Sequence, residues 1–352
     1  MSKHNRTPHV SLKSDKKHRG VKIFLIIILA LIIGFAGCVG AIYFIGRSRV
    51  TSVTPDNGIK IPDSVEGVKS EENGEIIYYN GKKYTFNENM FTMLFIGVDR
   101  ENMTEDEGIG YNGQADANYL CAFNSETGQI YVLAVNRDTY TEVDMYSAEG
   151  VFLRSDKMQL CLSYAYGDGR ETSCENTVTA VSRLLCNIPI KYYVAIDLDA
   201  LPVLTDKVGG VEVPEYSNHG MDATGNMMTV DGSNVENYIV SRDIDVLESN
   251  LPRIERQKYF INAYAKKAIE MTKSDLTFPV TLYNTVNDYM VTNIGVSVVS
   301  YVASTYIGSS LDVNMRSIDG EVSEYNGHAI FTPDNDSIFS NILEMYYTEI
   351  TE

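Results

Sequence analysis

Residues 23–45 of this 352-residue chain, IFLIIILALIIGFAGCVGAIYFI, carry no charge, and no other stretch limits the possible architectures as tightly. Wound as a helix, such a run extends about 34 Å at roughly 1.5 Å per residue, enough to cross a bilayer core of about 30 Å. Seven Lys/Arg precede it and only Arg47 and Arg49 follow closely. That asymmetry predicts a single-pass protein of the cell membrane, with a cytoplasmic N-terminus and an extracellular body. "FAGC" at residues 35–38 loosely resembles a lipobox, but the apolar run continues past Cys38, which favours a retained span over a cleaved leader.

The formal charge of −18 conceals a division between head and body. Residues 1–49 hold nine of the 29 Lys/Arg and one of the 47 Asp/Glu, which leaves 20 bases against 46 acids in the remainder. A body this acidic repels nucleic acid backbones, so no nucleic acid partner is expected. Outside the apolar run the cysteines are Cys121, Cys161, Cys174 and Cys186, with no CxxC spacing. Apolar neighbours suggest buried thiols, with one disulfide open in an external compartment. Only His219 and His328 fall in the body, too few for a histidine metal site.

Residues 46–90 begin as a polar stretch without a sustained period, as in a stalk, and then place Asn80-Gly81 between two strand-like runs, a two-residue hairpin signal. From residue 91 to 352 strands alternate with helices. Residues 93–98, 117–123, 129–135 and "YYVAIDL" read as strands, and residues 174–185 carry Val178, Val181, Leu184 and Leu185 at helical spacing. "DALPVLTDKVGG" reads as a short helix stopped by Gly209-Gly210, and a longer one follows Pro252 with Ile254, Ile261, Ala265 and Ala268 at core spacing. The order predicts an α/β fold: a layered α/β/α domain around a central mixed β-sheet, preceded by one transmembrane helix. The divisions expected are thus a basic tail (1–22), a span (23–45), a stalk with a hairpin (46–90) and an external domain (91–352).

Three groups of side chains carry candidate chemistry. Asp99 follows one strand and Asp116 precedes the next, so neighbouring strands would bring both to one rim; two such oxygens suit Mg²⁺, although turn and cap duty explains them equally well. "AVNRDTY" ends a strand in Arg137-Asp138, a fork for phosphate oxygens or a plain surface ion pair. In "NLPRIERQKYF", Arg253, Arg256 and Gln257 share a face of the first helical turns. Cations there oppose the helix dipole, which favours a bound anion, and Arg242 lies just upstream. Asp197 and Asp199 have no nucleophile or basic cluster beside them and read as strand-end and cap acids.

The ordered set "FIGVDR", "GQAD", "NRDTY", "YAYGDG", "IPIKYYVAIDLDALPVLTDKVGGVEV", "SRD" and "RIERQ" resembles the LytR-CpsA-Psr (LCP) family. The resemblance implies a Gram-positive membrane-anchored, Mg²⁺-dependent phosphotransferase that moves a glycopolymer, of teichoic acid or capsule type, from a polyprenyl pyrophosphate carrier to peptidoglycan. It further implies Asp99 and Asp116 as metal ligands. Arg100, Arg137, Arg242, Arg253, Arg256 and Gln257 would hold the pyrophosphate, and Asp99 or Asp138 would take the acceptor's proton. The polyprenyl tail would lie in an apolar groove between sheet and helices. Gln114-Ala115, Gln159-Leu160-Cys161 and Val240 depart from the family's usual cations and polar residues. Those departures keep open a non-catalytic envelope scaffold or regulator binding polyprenyl phosphate, and the same acids and arginines with water as acceptor would equally serve a Mg²⁺-dependent lipid pyrophosphatase.

Overall fold

The computed structural model describes residues 45–47, 58–100, 108–243, 245–306 and 313–350. The four runs expected as strands all form: Met90–Val98 (β1), Ala115–Asn124 (β2), Ile130–Val135 (β3) and Tyr192–Ile196 (β4). Met290–Thr292 (β5) and Val313–Ser317 (β6) complete a six-stranded sheet in the order β5-β4-β1-β2-β3-β6. The β1/β4 and β3/β6 pairs are parallel and the others antiparallel, which is the mixed sheet expected.

Six helices bear on the site and its surroundings: Glu171–Leu184 (α1), Ala200–Lys207 (α2), Val235–Val240 (α3), Asn250–Ser274 (α4), Val296–Tyr306 (α5) and Asn335–Tyr346 (α6). β1 reads MFTMLFIGV, apolar at nearly every position, the pattern of a strand covered on both faces. Leu94 and Ile96 pack into a core with Val181 of α1 and Phe339 of α6. On the opposite face Phe95, Ala117 and Tyr119 meet Ile254 and Ile261 of α4 and Val302 of α5. Three layers result, helices on either side of the sheet. α2 stops at Gly209-Gly210 as expected, since both take a φ of +74° that other residues rarely adopt.

The Asn80-Gly81 hairpin forms between strands Ile76–Tyr79 and Lys82–Phe86, with φ of +51° and +76° at the two turn residues. Its second strand pairs with the C-terminal strand Tyr347–Ile350. Ile59, Val65, Ile77 and Phe86 join the main core, so from residue 58 the stretch expected as a stalk is part of the body. Local pattern could not show this, because the pairing partner lies at the far end of the chain. The four described cysteines are free thiols, three of them buried. All of the uncharged run except Ile45 lies outside the described residues, and among those no helix is long and apolar enough to cross a membrane.

Candidate active site

β1 and β4 end, β2 begins and β3 ends at one end of the sheet, so the residues that follow or precede them converge there. The register of β1 against β2 shifts beside Gly97: Gly97 lies opposite Ala117 and Val98 opposite Ala115, leaving Asp116 as an extra residue. A bulge of this kind takes a side chain out of the regular ladder and re-aims it. Asp116 thereby receives Arg137 on Oδ1 and Arg253 on Oδ2, the latter at 3.1 Å. Arg253 also donates to the Asp116 carbonyl at 3.2 Å, and its Nε donates to Asn250 Oδ1 at 2.9 Å. Across the gap, Gly113 at φ +84° turns the chain so that the Gln114 amide donates to Asp99 Oδ1.

Arg137 is the hub. Besides Asp116 it reaches Gln114 Oε1 and, at 3.0 Å, Cys161 Sγ, and its Nε lies 3.4 Å from Asp138 Oδ1. Gln159 donates to the same Asp138 oxygen at 3.1 Å and to the Ala329 carbonyl at 2.7 Å. Of the residues that depart from the family's usual pattern, Gln114, Gln159 and Cys161 are therefore built into the site, where they hold Arg137 and Asp138 in place, while Val240 lines an apolar cavity.

Burial pushes the Asp99 carboxyl up to about 6, with the Asp116 carboxylate adding to the rise and the Gln114 amide and Arg137 opposing it. Burial likewise raises Asp138, against the pull of Arg137, Arg242 and Arg253. Arg242 is pushed down by burial and by the like charges of Arg253 and Arg137. It makes no hydrogen bond or ion pair with any of the described residues. Asp116 and Asp138 act on it only through space, so of the three guanidinium groups crowding the site Arg242 is the one without a direct side-chain contact among the described residues.

Two cavities meet at Asp99. The first, about 290 Å³, lies between the sheet and helices α2, α3 and α4; Phe95, Ala117, Tyr119, Leu204, Phe260 and Ile261 line it, with Asp99, Asp116 and Arg253 at one end. This is the apolar groove that the resemblance implied. The second, about 590 Å³, is polar and is lined by Asp99, Arg137, Asp138, Gln159, Arg242 and His328. His328 belongs to the hairpin Gly320–Tyr325/His328–Pro333, which is tied to the site where the Phe331 amide donates to the Asp138 carbonyl at 2.8 Å. No sequence signal linked that hairpin to the motifs.

Not every expected residue arrives. Arg256, 1% exposed, donates to the backbone carbonyls of Tyr238, Gly220 and Ser241 and stacks over the Tyr216 ring. It lines neither cavity and is a structural anchor, because the α4 face it shares with Arg253 points at backbone there instead of at the site. Arg100 turns to the Asn112 carbonyl, 3.3 Å away, and also lines neither cavity. Gln257 sits in the apolar cavity wall, accepting from the Tyr119 hydroxyl at 2.8 Å and donating to the Ile239 carbonyl at 3.2 Å. Asp197, at the strand end, accepts from the Ala200 amide at 3.1 Å at the start of α2, whereas Asp199 stands at the N-cap position without a side-chain cap bond.

Asp99 and Asp116 fit a divalent cation by the chemistry of the donor set. The charges of Arg137, Arg242 and Arg253 balance those of Asp99, Asp116 and Asp138, whereas a pyrophosphate diester brings two further negative charges. One Mg²⁺ would offset them, and Asp99 and Asp116 are the carboxylates that would hold it, Asp116 sharing its oxygens with Arg137 and Arg253.

The profile of the LytR_cpsA_psr family matches residues 58–345. The chain belongs to this family. It is 27% identical over 256 residues to a polyisoprenyl-teichoic acid–peptidoglycan teichoic acid transferase TagU of Enterococcus faecalis, covering 72% of this chain and 73% of that one. The TagU of Halalkalibacterium halodurans is 25% identical over 240 residues, 67% of this chain and 71% of its own. Among solved structures, TagT bound to LIIa-WTA superposes with a TM-score of 0.54 at 21% identity, covering 73% of this chain and 90% of that one. TagV of B. subtilis superposes with a TM-score of 0.54 at 20% identity, covering 74% and 98%. At that identity the likeness establishes the shared fold of this LCP protein.

Proposed function

We propose that this LCP protein transfers a glycopolymer from a polyprenyl pyrophosphate carrier to peptidoglycan, at the outer face of a membrane crossed once by residues 23–45. The observation that carries the reading is the arginine cluster at the junction of an apolar and a polar cavity: Arg137 and Arg253 on Asp116, and Arg242 in the polar cavity wall with no direct hydrogen bond or ion pair among the described residues. A lipid-linked glycan has the same sequence of parts: an apolar tail, a doubly charged pyrophosphate and a polar polymer. The tail enters the cavity under α4, the pyrophosphate meets the arginines, and the first sugar faces the polar cavity.

In the reaction an acceptor hydroxyl of peptidoglycan forms a bond to the phosphorus that bears the glycan, the bridging P–O bond breaks, and polyprenyl phosphate leaves. Arg137, Arg242 and Arg253 donate to the phosphate oxygens as charge moves onto the leaving group. Asp138 takes the hydroxyl proton: its Oδ1 is occupied by Gln159 and Arg137, its Oδ2 is free of donors from the described residues, and its raised pKa suits a base. Asp99 and Asp116 are the residues that would hold Mg²⁺, which when bound would supply Lewis-acid neutralisation of the pyrophosphate.

The test is incubation of the full chain in nanodiscs with a polyprenyl-pyrophosphate glycan, Mg²⁺ and peptidoglycan, beside Asp116→Ala and Arg137→Ala. Covalent transfer present in the parent and absent from both variants supports the reading. Lipid binding without turnover overturns it in favour of a scaffold. Release of lipid phosphate with no acceptor product makes the protein a pyrophosphatase.

A further inference from the structure

The end of the sheet opposite the active site carries an unusual feature. The hairpin Tyr140–Tyr146/Phe152–Gln159 leaves the site at Thr139 and runs down α1, fixed where Arg183 near the C-terminus of α1 pairs with Asp144 at 2.6 Å. Its tip then projects beyond that ion pair. There Val151, Phe152 and Leu153 are 61%, 53% and 58% exposed. Successive strand residues point to opposite faces, so a hairpin lying flat on the body would cover one face and leave alternate side chains out. Val151 precedes the strand and Leu153 is the extra residue of a bulge, since Tyr146 pairs with Phe152 and Met145 with Arg154, so the tip turns all three apolar side chains outward, with the Tyr146 ring against that of Phe152.

The described residues that end the uncharged run, from Ile45 on, lie at the same end. α5 starts beside Ile294, which packs with Phe91 and Tyr192 where β1 and β4 begin, and this is the same end of the sheet. Residues 45–47 are helical, and Gly46 is buried so closely against the Ser297 backbone and the Tyr301 side chain of α5 that a β-carbon would not fit. Ile45, the last residue of the uncharged run, therefore lies at the end of the sheet that presents the hairpin tip.

We infer that Val151, Phe152 and Leu153 form a second membrane contact, in which the hairpin tip inserts into the interfacial region of the bilayer that residues 23–45 cross. Two points of attachment hold the body in one orientation, with Asp99 and Asp116 at the far end, about 30 Å along the nine-residue β1. The inference rests on the reading of residues 23–45 as a span. Its partner is the lipid acyl and headgroup boundary, which takes an apolar tip without requiring a shaped pocket.

The chain contains no tryptophan, so one introduced indole reports on one place. Phe152→Trp, Leu153→Trp and, as a control at the active-site end, Tyr111→Trp are each made in the full chain and reconstituted into phosphatidylcholine/phosphatidylglycerol vesicles with and without brominated acyl chains. Tyr111 is 76% exposed and makes a suitable solvent reference. Both tip indoles are expected to shift to the blue and to lose roughly half or more of their intensity to the bromines, a depth expected of an interfacial apolar residue, while the control loses little. Vesicle-bound protein whose tip indoles emit as in water, unquenched, overturns the inference and leaves the span intact. A blue shift without bromine quenching also overturns it, by showing that protein, such as a second copy of this chain, covers the tip. Protein that fails to float with vesicles overturns the span and this inference with it.

Discussion

The two cavities that meet at Asp99 are built in opposite ways. The apolar one has a floor of β1 and β2 and walls from α2, α3 and α4, so its lining follows from periodic apolar residues in regular elements. The polar one is assembled from a strand end, the segment around Arg242 to Ser249 and a hairpin tip near His328, pieces far apart in the chain. The apolar half is thus a property of the fold, whereas the polar half is a property of loops, which vary most freely. Single substitutions can separate the two halves or probe their common wall.

The greatest loss is expected at Arg256, which serves the fold alone. Truncation to Ala takes the guanidinium donor from the buried Tyr238 carbonyl and the part-buried Gly220 and Ser241 carbonyls, at a cost of about 3–5 kcal/mol of stability, read from the urea midpoint. A loss of transfer without a loss of stability would return Arg256 to the pyrophosphate. Arg253, one turn away on the same helix, behaves differently. Arg253→Ala is expected to lower transfer about 10²-fold, in the range found when one transition-state donor is removed.

That contrast marks how far the sequence could be read. The spacing of Arg253, Arg256 and Gln257 correctly puts all three on the buried face of α4. It could not tell that the second guanidinium meets the carbonyls of Tyr238, Gly220 and Ser241, since those lie on segments whose position depends on tertiary packing. The period of Ile261 and Ala265 predicts core, yet both are only partly buried because they face a cavity and not a close-packed layer. The four principal strands and the Asn80-Gly81 turn were legible because each is set by local chemistry. The roof of the polar cavity was not, because nothing near His328 in sequence announces Arg137.

Ala265→Phe probes the apolar side. A ring at this position fills part of the cavity while leaving the arginines untouched. Transfer from a long-chain carrier is expected to fall about tenfold, the equivalent of roughly 1.4 kcal/mol, with a short-chain analogue unaffected. Equal loss with both substrates would show that the tail lies elsewhere.

The mildest substitution concerns a hydroxyl in the same cavity. Tyr264 lines the cavity, stacks on Phe260 with ring centroids 5.9 Å apart, and its buried hydroxyl has no hydrogen-bond partner among the described residues. Burial pushes its pKa up, as expected for a phenol whose ionised form has no support. An unsatisfied buried hydroxyl costs free energy that a phenyl ring does not. Tyr264→Phe is therefore expected to be neutral or to stabilise the protein by up to about 1 kcal/mol, with binding of the lipid tail retained. If instead Tyr264→Phe destabilises the protein and weakens the tail, the hydroxyl holds a polar partner inside the cavity. The division into a dry half and a wet half would then fail at this residue.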